Sequence, residues 1–158
     1  MLKLNTILCP TDFSAGSLQA LSAATDIAIR FTAELWLVHV LPILPVLLTD
    51  PNYAFEMHEY QRLLDEEARK RLDEMAGELQ QKSVKSRILL GHGDPASEIV
   101  RVAEEQKIDL IVIATFGKTG WRRFAFGSVT EKVVRLSPCP VLTVRGSDDK
   151  VVPEQQVA

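Results

Sequence analysis

Apolar positions along the chain follow two alternating rhythms. Short apolar stretches rich in β-branched residues occupy 4–9, 34–40, 84–90, 110–114 and 141–145, and such stretches read as buried strands. Between them, apolar residues recur every three or four positions, the spacing of one helix face. A helix is predicted over 14–31, with Leu21, Ala24, Ala28 and Phe31 on the inner face. A longer one, over about 55–81, carries Tyr60, Leu64, Leu72, Met75 and Leu79 as its apolar stripe. The charged run Asp65, Glu66, Glu67, Arg69, Lys70 and Arg71 reads as its solvated side. Asp94-Pro95 opens a third helix, a capping side chain followed by proline in the first turn. That helix runs to about Gln106 with Ile99, Val102 and Ala103 inward. The last helix spans 128–136, with Val129, Val133 and Leu136 on one side, and Pro138-Cys139-Pro140 ends it.

This alternation predicts an α/β fold, a three-layer sandwich in which helices cover both faces of a five-stranded parallel sheet through right-handed crossovers. The expected strand order is 3-2-1-4-5. Ligands of such sheets sit beyond the carboxyl ends of the strands where the winding reverses. That rule brings residues 10–12 and 114–130 to one crevice. The 158 residues make one domain over 1–146, with a polar tail over 147–158 expected to be disordered. The segment 41–55 is proline-rich yet apolar, so it is expected to pack against something.

Composition narrows the chemistry. A net charge of −3 argues against a general binder of nucleic acid or anionic membrane. No stretch approaches the roughly 18 apolar residues of a membrane span, and the chain opens without a signal peptide pattern, so a cytoplasmic protein is expected. Cys9 and Cys139 form no CxxC pair and read as thiols of a reducing compartment.

The most informative stretch is 109–130. A buried strand leads into a loop holding Gly117, Gly120 and Gly127 among Lys118, Arg122 and Arg123, and the loop ends at a helix start. Backbone N–H groups, the helix dipole and glycines that permit close approach make this a candidate anion site. Ser128, with Glu131 three residues on, reads as a capping box. Asp12, after the first strand, reads either as a turn residue or as a carboxylate within reach of a ribose hydroxyl or a metal on phosphates.

Competing motifs fail on context. Gly117-Lys118-Thr119 resembles the end of a P-loop, but Val112 stands where its first glycine belongs. Gly91-His-Gly-Asp-Pro-Ala96 fits a dinucleotide fingerprint in letters only, because Pro95 removes an N–H and Asp109 begins the next strand. It reads as a structural turn. His39, His58 and His92 lack metal-ligand spacing, and no GxSxG elbow occurs. The sequence offers no residue that reads as catalytic and no convincing general base.

Across about 4–145 the chain resembles the universal stress protein family. The resemblance is carried by Ile7-Leu-Cys-Pro-Thr-Asp-Phe-Ser14, by Val38-His-Val40, and by Gly127-Ser-Val-Thr-Glu131 through Pro138-Cys-Pro-Val-Leu-Thr-Val144. The pattern of the nucleotide-binding branch, G-x-x-G, nine residues, G-[ST], is present as Ala114-Thr-Phe-Gly117, nine residues, Gly127-Ser128, with alanine in place of the first glycine. The resemblance implies an adenine nucleotide alpha-hydrolase-like fold and a stress-response protein that binds ATP as a signalling or regulatory module. It implies Asp12 on the ribose, with Pro10 and Thr11 beside it, and the Val40 backbone on adenine. Gly117, Gly127, Ser128, Val129 and Thr130 would cradle the phosphates, with Ala114 beside the nucleotide and Mg or Mn bound through the phosphates rather than by protein ligands. It further implies a homodimer through the fifth strand, over Val141, Leu142, Thr143 and Val144, and a protein partner of unknown kind. The family's other branch would make the chain a nucleotide-independent dimeric interaction module. With no base aimed at a γ-phosphate, any hydrolysis of the implied ATP is expected to be slow or partner-dependent.

Overall fold

The computed structural model describes residues 3–45, 51–116 and 126–145. The expectations placed on 46–50, on the basic loop 117–125 and on the tail beyond Arg145 lie outside the described residues.

Five strands form one parallel sheet: β1 (Thr6–Pro10), β2 (Glu34–Leu41), β3 (Ser86–His92), β4 (Leu110–Ala114) and β5 (Val141–Val144), in the order β3-β2-β1-β4-β5. Helices α1 (Ala15–Phe31), α2 (Pro51–Gln81), α3 (Pro95–Glu105) and α4 (Ser128–Leu136) alternate with them. Successive strand residues point to opposite faces, and both faces are covered. Ile7, Cys9, Leu35, Leu37, Val112 and Ala114 pack with α1 and α2, while Leu8, Trp36, Val38, Ile111 and Ile113 pack with α3 and α4. That is why the strands read as continuous apolar runs.

Local chemistry sets the helix ends. Ser14 caps α1 by accepting from Ser17 N–H at 3.2 Å, and Thr32, at φ 54°, ends it. Asp94 caps α3 by accepting from Ser97 N–H at 2.9 Å. The Lys132 ammonium at 2.7 Å, with the Ser97 hydroxyl and N–H, holds the Asp94 carboxyl well below the usual carboxylate range. This pair ties α4 to the start of α3. Proline is tolerated in a first turn, where its missing N–H has no intrahelical partner, so α2 starts at Pro51 instead of near Phe55.

Three apolar residues assigned inward are half exposed: Phe31 (52%), Tyr60 (51%) and Leu136 (50%). Phe31 and Leu136 are the last residues of their helices, and Tyr60 lies in the early part of α2. The inward positions belong to Ala20, Ala24 and Ala28 on α1, to Ala68, Leu72 and Leu79 on α2, and to Val133 on α4. The expected capping box at Ser128 is not formed. Gly127 is the N-cap, in extended conformation and without a side-chain cap, and Ser128 is the first helical residue.

The Gly91–Ala96 stretch is a strand-to-helix turn. Gly93 has φ +116° and donates to the Leu41 carbonyl at 2.9 Å. Few residues besides glycine adopt that backbone, so Gly93→Ala is expected to cost about 1–3 kcal/mol, read as a lower urea midpoint at unchanged slope.

Candidate functional site

The crevice begins where β1 stops pairing. On the β4 side the ladder pairs Ile7 with Leu110 and Leu8 with Ile111. Strand alternation directs the next amide on that side to position 10, and Pro10 has no N–H to give. The sheet therefore parts between β1 and β4, where the strand order reverses.

Past Pro10 the chain turns sharply. Thr11 N–H still reaches the Val38 carbonyl at 2.9 Å. Ser17 Oγ donates to the Ser14 carbonyl at 2.9 Å, so in the 3.0 Å contact between Thr11 Oγ1 and Ser17 Oγ the proton comes from Thr11. Thr11 Oγ1 in turn accepts from Phe13 N–H at 3.0 Å, and Asp12 Oδ1 accepts from Ser14 N–H at 3.0 Å. Phe13 sits at φ 63°, uncommon for an aromatic residue, with its ring 4.4 Å from that of His39 and the Arg71 guanidinium 5.0 Å away. This over-determined turn holds the Asp12 carboxylate at the mouth of the crevice.

On β2, amides alternate sides. Glu34 and Val38 bond toward β1 (Glu34 N–H to Asn5, Thr11 N–H to Val38), whereas Leu35 and Leu41 bond toward β3 (Leu35 N–H to Lys85, Gly93 N–H to Leu41). Val40 therefore aims its N–H and C=O toward β1, beyond the last β1 pair, Pro10 with Val38. Among the described residues no backbone group takes them up. A donor and an acceptor side by side suit a ligand edge presenting an acceptor next to a donor.

The opposite wall is α4 with Pro95 and Ile99 of α3. Gly127 N–H is held by the Thr115 carbonyl at 2.8 Å. A Cβ added to Gly127 would lie 3.4 Å from that carbonyl, ordinary contact, and its φ of −69° suits any residue. The fold thus does not require glycine at 127; what glycine provides is clearance over the helix start. Ser128, free of capping duty, and the first N–H groups of α4 face the crevice, at the positive end of the helix dipole. The Thr130 hydroxyl donates to the Ala114 carbonyl at 2.7 Å, so only the backbone N–H of Thr130 can serve a ligand as a donor.

Pro10, Thr11, Asp12, Val40, Ala114, Gly127, Ser128, Val129 and Thr130 line one cavity of about 260 Å³. Gly117 lies outside the described residues. Ser17, His39, Pro95, Ile99 and Phe116 line it too, and sequence reasoning did not name them as site residues. In the sequence Ile99 reads as an inward core position, and His39 reads as the middle of the Val38-His-Val40 strand end and as one of three histidines without metal-ligand spacing. A larger cavity, about 670 Å³, lies at the other end of β2 and β3 near Glu34, Gln80 and Ser86. It is an open surface hollow, away from the carboxyl strand ends, and gathers no comparable set of groups. Among the described residues no cluster of His, Cys, Asp or Glu could hold a metal ion, and burial pushes the Cys9 thiol up to about 12.

The sequence model of the universal stress protein family matches residues 3–145. The chain belongs to that family. Universal stress protein MJ0531 of Methanocaldococcus jannaschii is 38% identical over 139 residues, covering 88% of this chain and 81% of the relative. The solved structure of MJ0577, another universal stress protein of that organism, superposes with a TM-score of 0.82 at 30% identity, covering 92% of this chain and 99% of that one. A universal stress protein solved in complex with cAMP superposes with a TM-score of 0.63 at 26% identity over 90% of this chain and 98% of that one. The sheet order and flanking helices are those of the universal stress protein, adenine nucleotide alpha-hydrolase-like fold. Within the family's glycine pattern, Ala114 is the departure. It ends β4, pairs with Val144 and has no positive φ, so alanine sits there without backbone strain.

Proposed function

We propose that this universal stress protein binds ATP in the crevice between β1 and β4 and acts as a nucleotide-dependent regulatory module of the cytoplasm. The observation that carries the reading is the meeting of three recognition elements in one cavity. The outward amide of Val40 suits the adenine edge, whose N1 accepts and whose amino group donates. Asp12 suits a ribose diol. The N-terminus of α4, with Gly127 and Ser128, suits phosphate. A relative of the same fold solved with cAMP supports the choice of an adenine nucleotide. A divalent cation would be held through the phosphates, and the free thiols Cys9 and Cys139 fit a reducing compartment. Saturating ATP should raise the melting temperature and GTP should not. No shift with either nucleotide would leave the chain a nucleotide-independent interaction module.

The same reading includes a homodimer through β5. This is an edge strand. Pro140 and Val144 carbonyls bond toward β4, accepting from Ile111 and Thr115 N–H, so alternation leaves the Val141 and Thr143 amides on the outer edge. Leu142 is 40% exposed beside them. An apolar edge of this kind invites strand pairing. Thr143→Pro deletes an outward N–H and spares the β4 ladder. Sedimentation is expected to show a monomer with unchanged circular dichroism; a persisting dimer places the interface elsewhere.

A further inference from the structure

The Val40 amide is available to a base only because β1 does not continue beside it, and the hydrogen bonds of the turn after β1 show why. In a parallel ladder that extended the Pro10–Val38 register, Val40 N–H would donate to the Thr11 carbonyl, and the Val40 carbonyl would accept from Phe13 N–H. Both partners are diverted. Phe13 N–H goes to Thr11 Oγ1 at 3.0 Å. The Thr11 carbonyl lies 2.7 Å from His39 Nδ1. A carbonyl only accepts, so Nδ1 carries the proton and His39 is the donor.

The His39 side chain leaves β2 on the face that Leu37 shares with α1 and α2, so its bond draws the Thr11 carbonyl off the sheet edge toward those helices. The ring then packs on Phe13, whose left-handed backbone is the turn that carries the chain away. We infer that His39 is a positioning residue for base recognition: its Nδ1–H captures the Thr11 carbonyl that would otherwise pair with Val40 N–H, and so keeps the Val40 donor and acceptor open to the adenine edge. The base-reading part of this inference rests on the nucleotide function proposed above; the capture of the carbonyl does not.

Two substitutions separate the donor from the ring. His39→Phe keeps an aromatic ring against Phe13 and removes the donor. His39→Asn removes the ring and restores an N–H near the position of Nδ1. The first measurement uses the free protein: amide hydrogen exchange resolved at Val40. In His39→Phe the Thr11 carbonyl is released to Val40, and exchange there is expected to slow by about tenfold or more. In the native protein and His39→Asn it stays fast. Equal Val40 exchange in all three folded proteins overturns the inference whatever the protein binds.

The second measurement compares ATP with inosine triphosphate, whose ring presents a donor where adenine accepts and an acceptor where adenine donates. The native protein and His39→Asn should prefer ATP, and in His39→Phe the ratio of the two affinities should fall toward one. A purely structural role would weaken both nucleotides equally and leave the ratio in place, which also overturns the inference. Failure of the native protein to bind any nucleotide instead overturns the proposed function, and Val40 exchange then decides the positioning role by itself.

Discussion

Ala114→Leu is expected to abolish ATP binding in calorimetric titration, while Ala114→Gly binds as tightly as the native protein or modestly tighter. Ala114 is 6% exposed, closes β4 and borders the cavity with its carbonyl pinned by Thr130. Its methyl belongs to the cluster that includes Cys9, Ala20 and Ala24. A leucine there has two places to go, and each has a consequence. Turned inward, it overpacks α1 against the sheet at a cost of about 1–3 kcal/mol; turned outward, it fills the crevice. Circular dichroism and the urea midpoint therefore accompany the titration, so that a folded protein without affinity can be told from an unfolded one. Because alanine is unstrained at the end of a strand and its methyl lies in the core cluster, glycine there is expected to change affinity by no more than several-fold, about 1 kcal/mol. Equal affinity in native, glycine and leucine proteins would remove Ala114 from the site.

Asp12→Ala is expected to weaken ATP binding by about 10- to 100-fold, the loss that follows removal of a hydrogen-bonded charge worth about 1.5–3 kcal/mol. The turn complicates a simple reading, since Asp12 Oδ1 accepts from Ser14 N–H and Ser14 caps α1. Asp12→Asn keeps an oxygen for Ser14 but removes the charge and turns the other acceptor into an amide donor. If the carboxylate holds the ribose, both variants lose affinity while asparagine retains the native melting temperature. If affinity instead follows melting temperature across the three proteins, Asp12 is a turn residue and the ribose lies elsewhere.

The alternation of strands and helices was readable because the central strands β1, β2 and β4 are buried on both faces and each helix on one, so the periodicity switches cleanly along the chain. The places of Asp12, Gly127 and Ser128, which line the cavity, were readable for the same reason: their positions at strand and helix ends follow from the pattern. What stayed hidden depends on dihedrals and on neighbours distant in sequence. Glycine and serine both make good N-caps, and only the backbone reveals that Gly127 takes the role and releases Ser128. Phe31 and Leu136 keep helical spacing yet fall on final turns that overhang the core. The Thr130 hydroxyl belongs to Ala114, sixteen residues back, and His39 acts on Thr11, twenty-eight residues back. No spacing rule within one element announces either contact.

In the proposed complex an adenine nucleotide lies across the carboxyl ends of β2, β1 and β4 with its phosphates on α4. An amide NMR titration of the isotope-labelled protein with ATP tests it most directly, because each recognition element has its own backbone reporter. Saturable shifts are expected at Val40 for the base, at Asp12 and Phe13 for the ribose, and at Ser128 and Val129 for the phosphates, with the outer edge of β5 and the hollow near Glu34 and Ser86 unmoved. Shifts confined to that hollow or to β5, or no saturable shift at all, would contradict it.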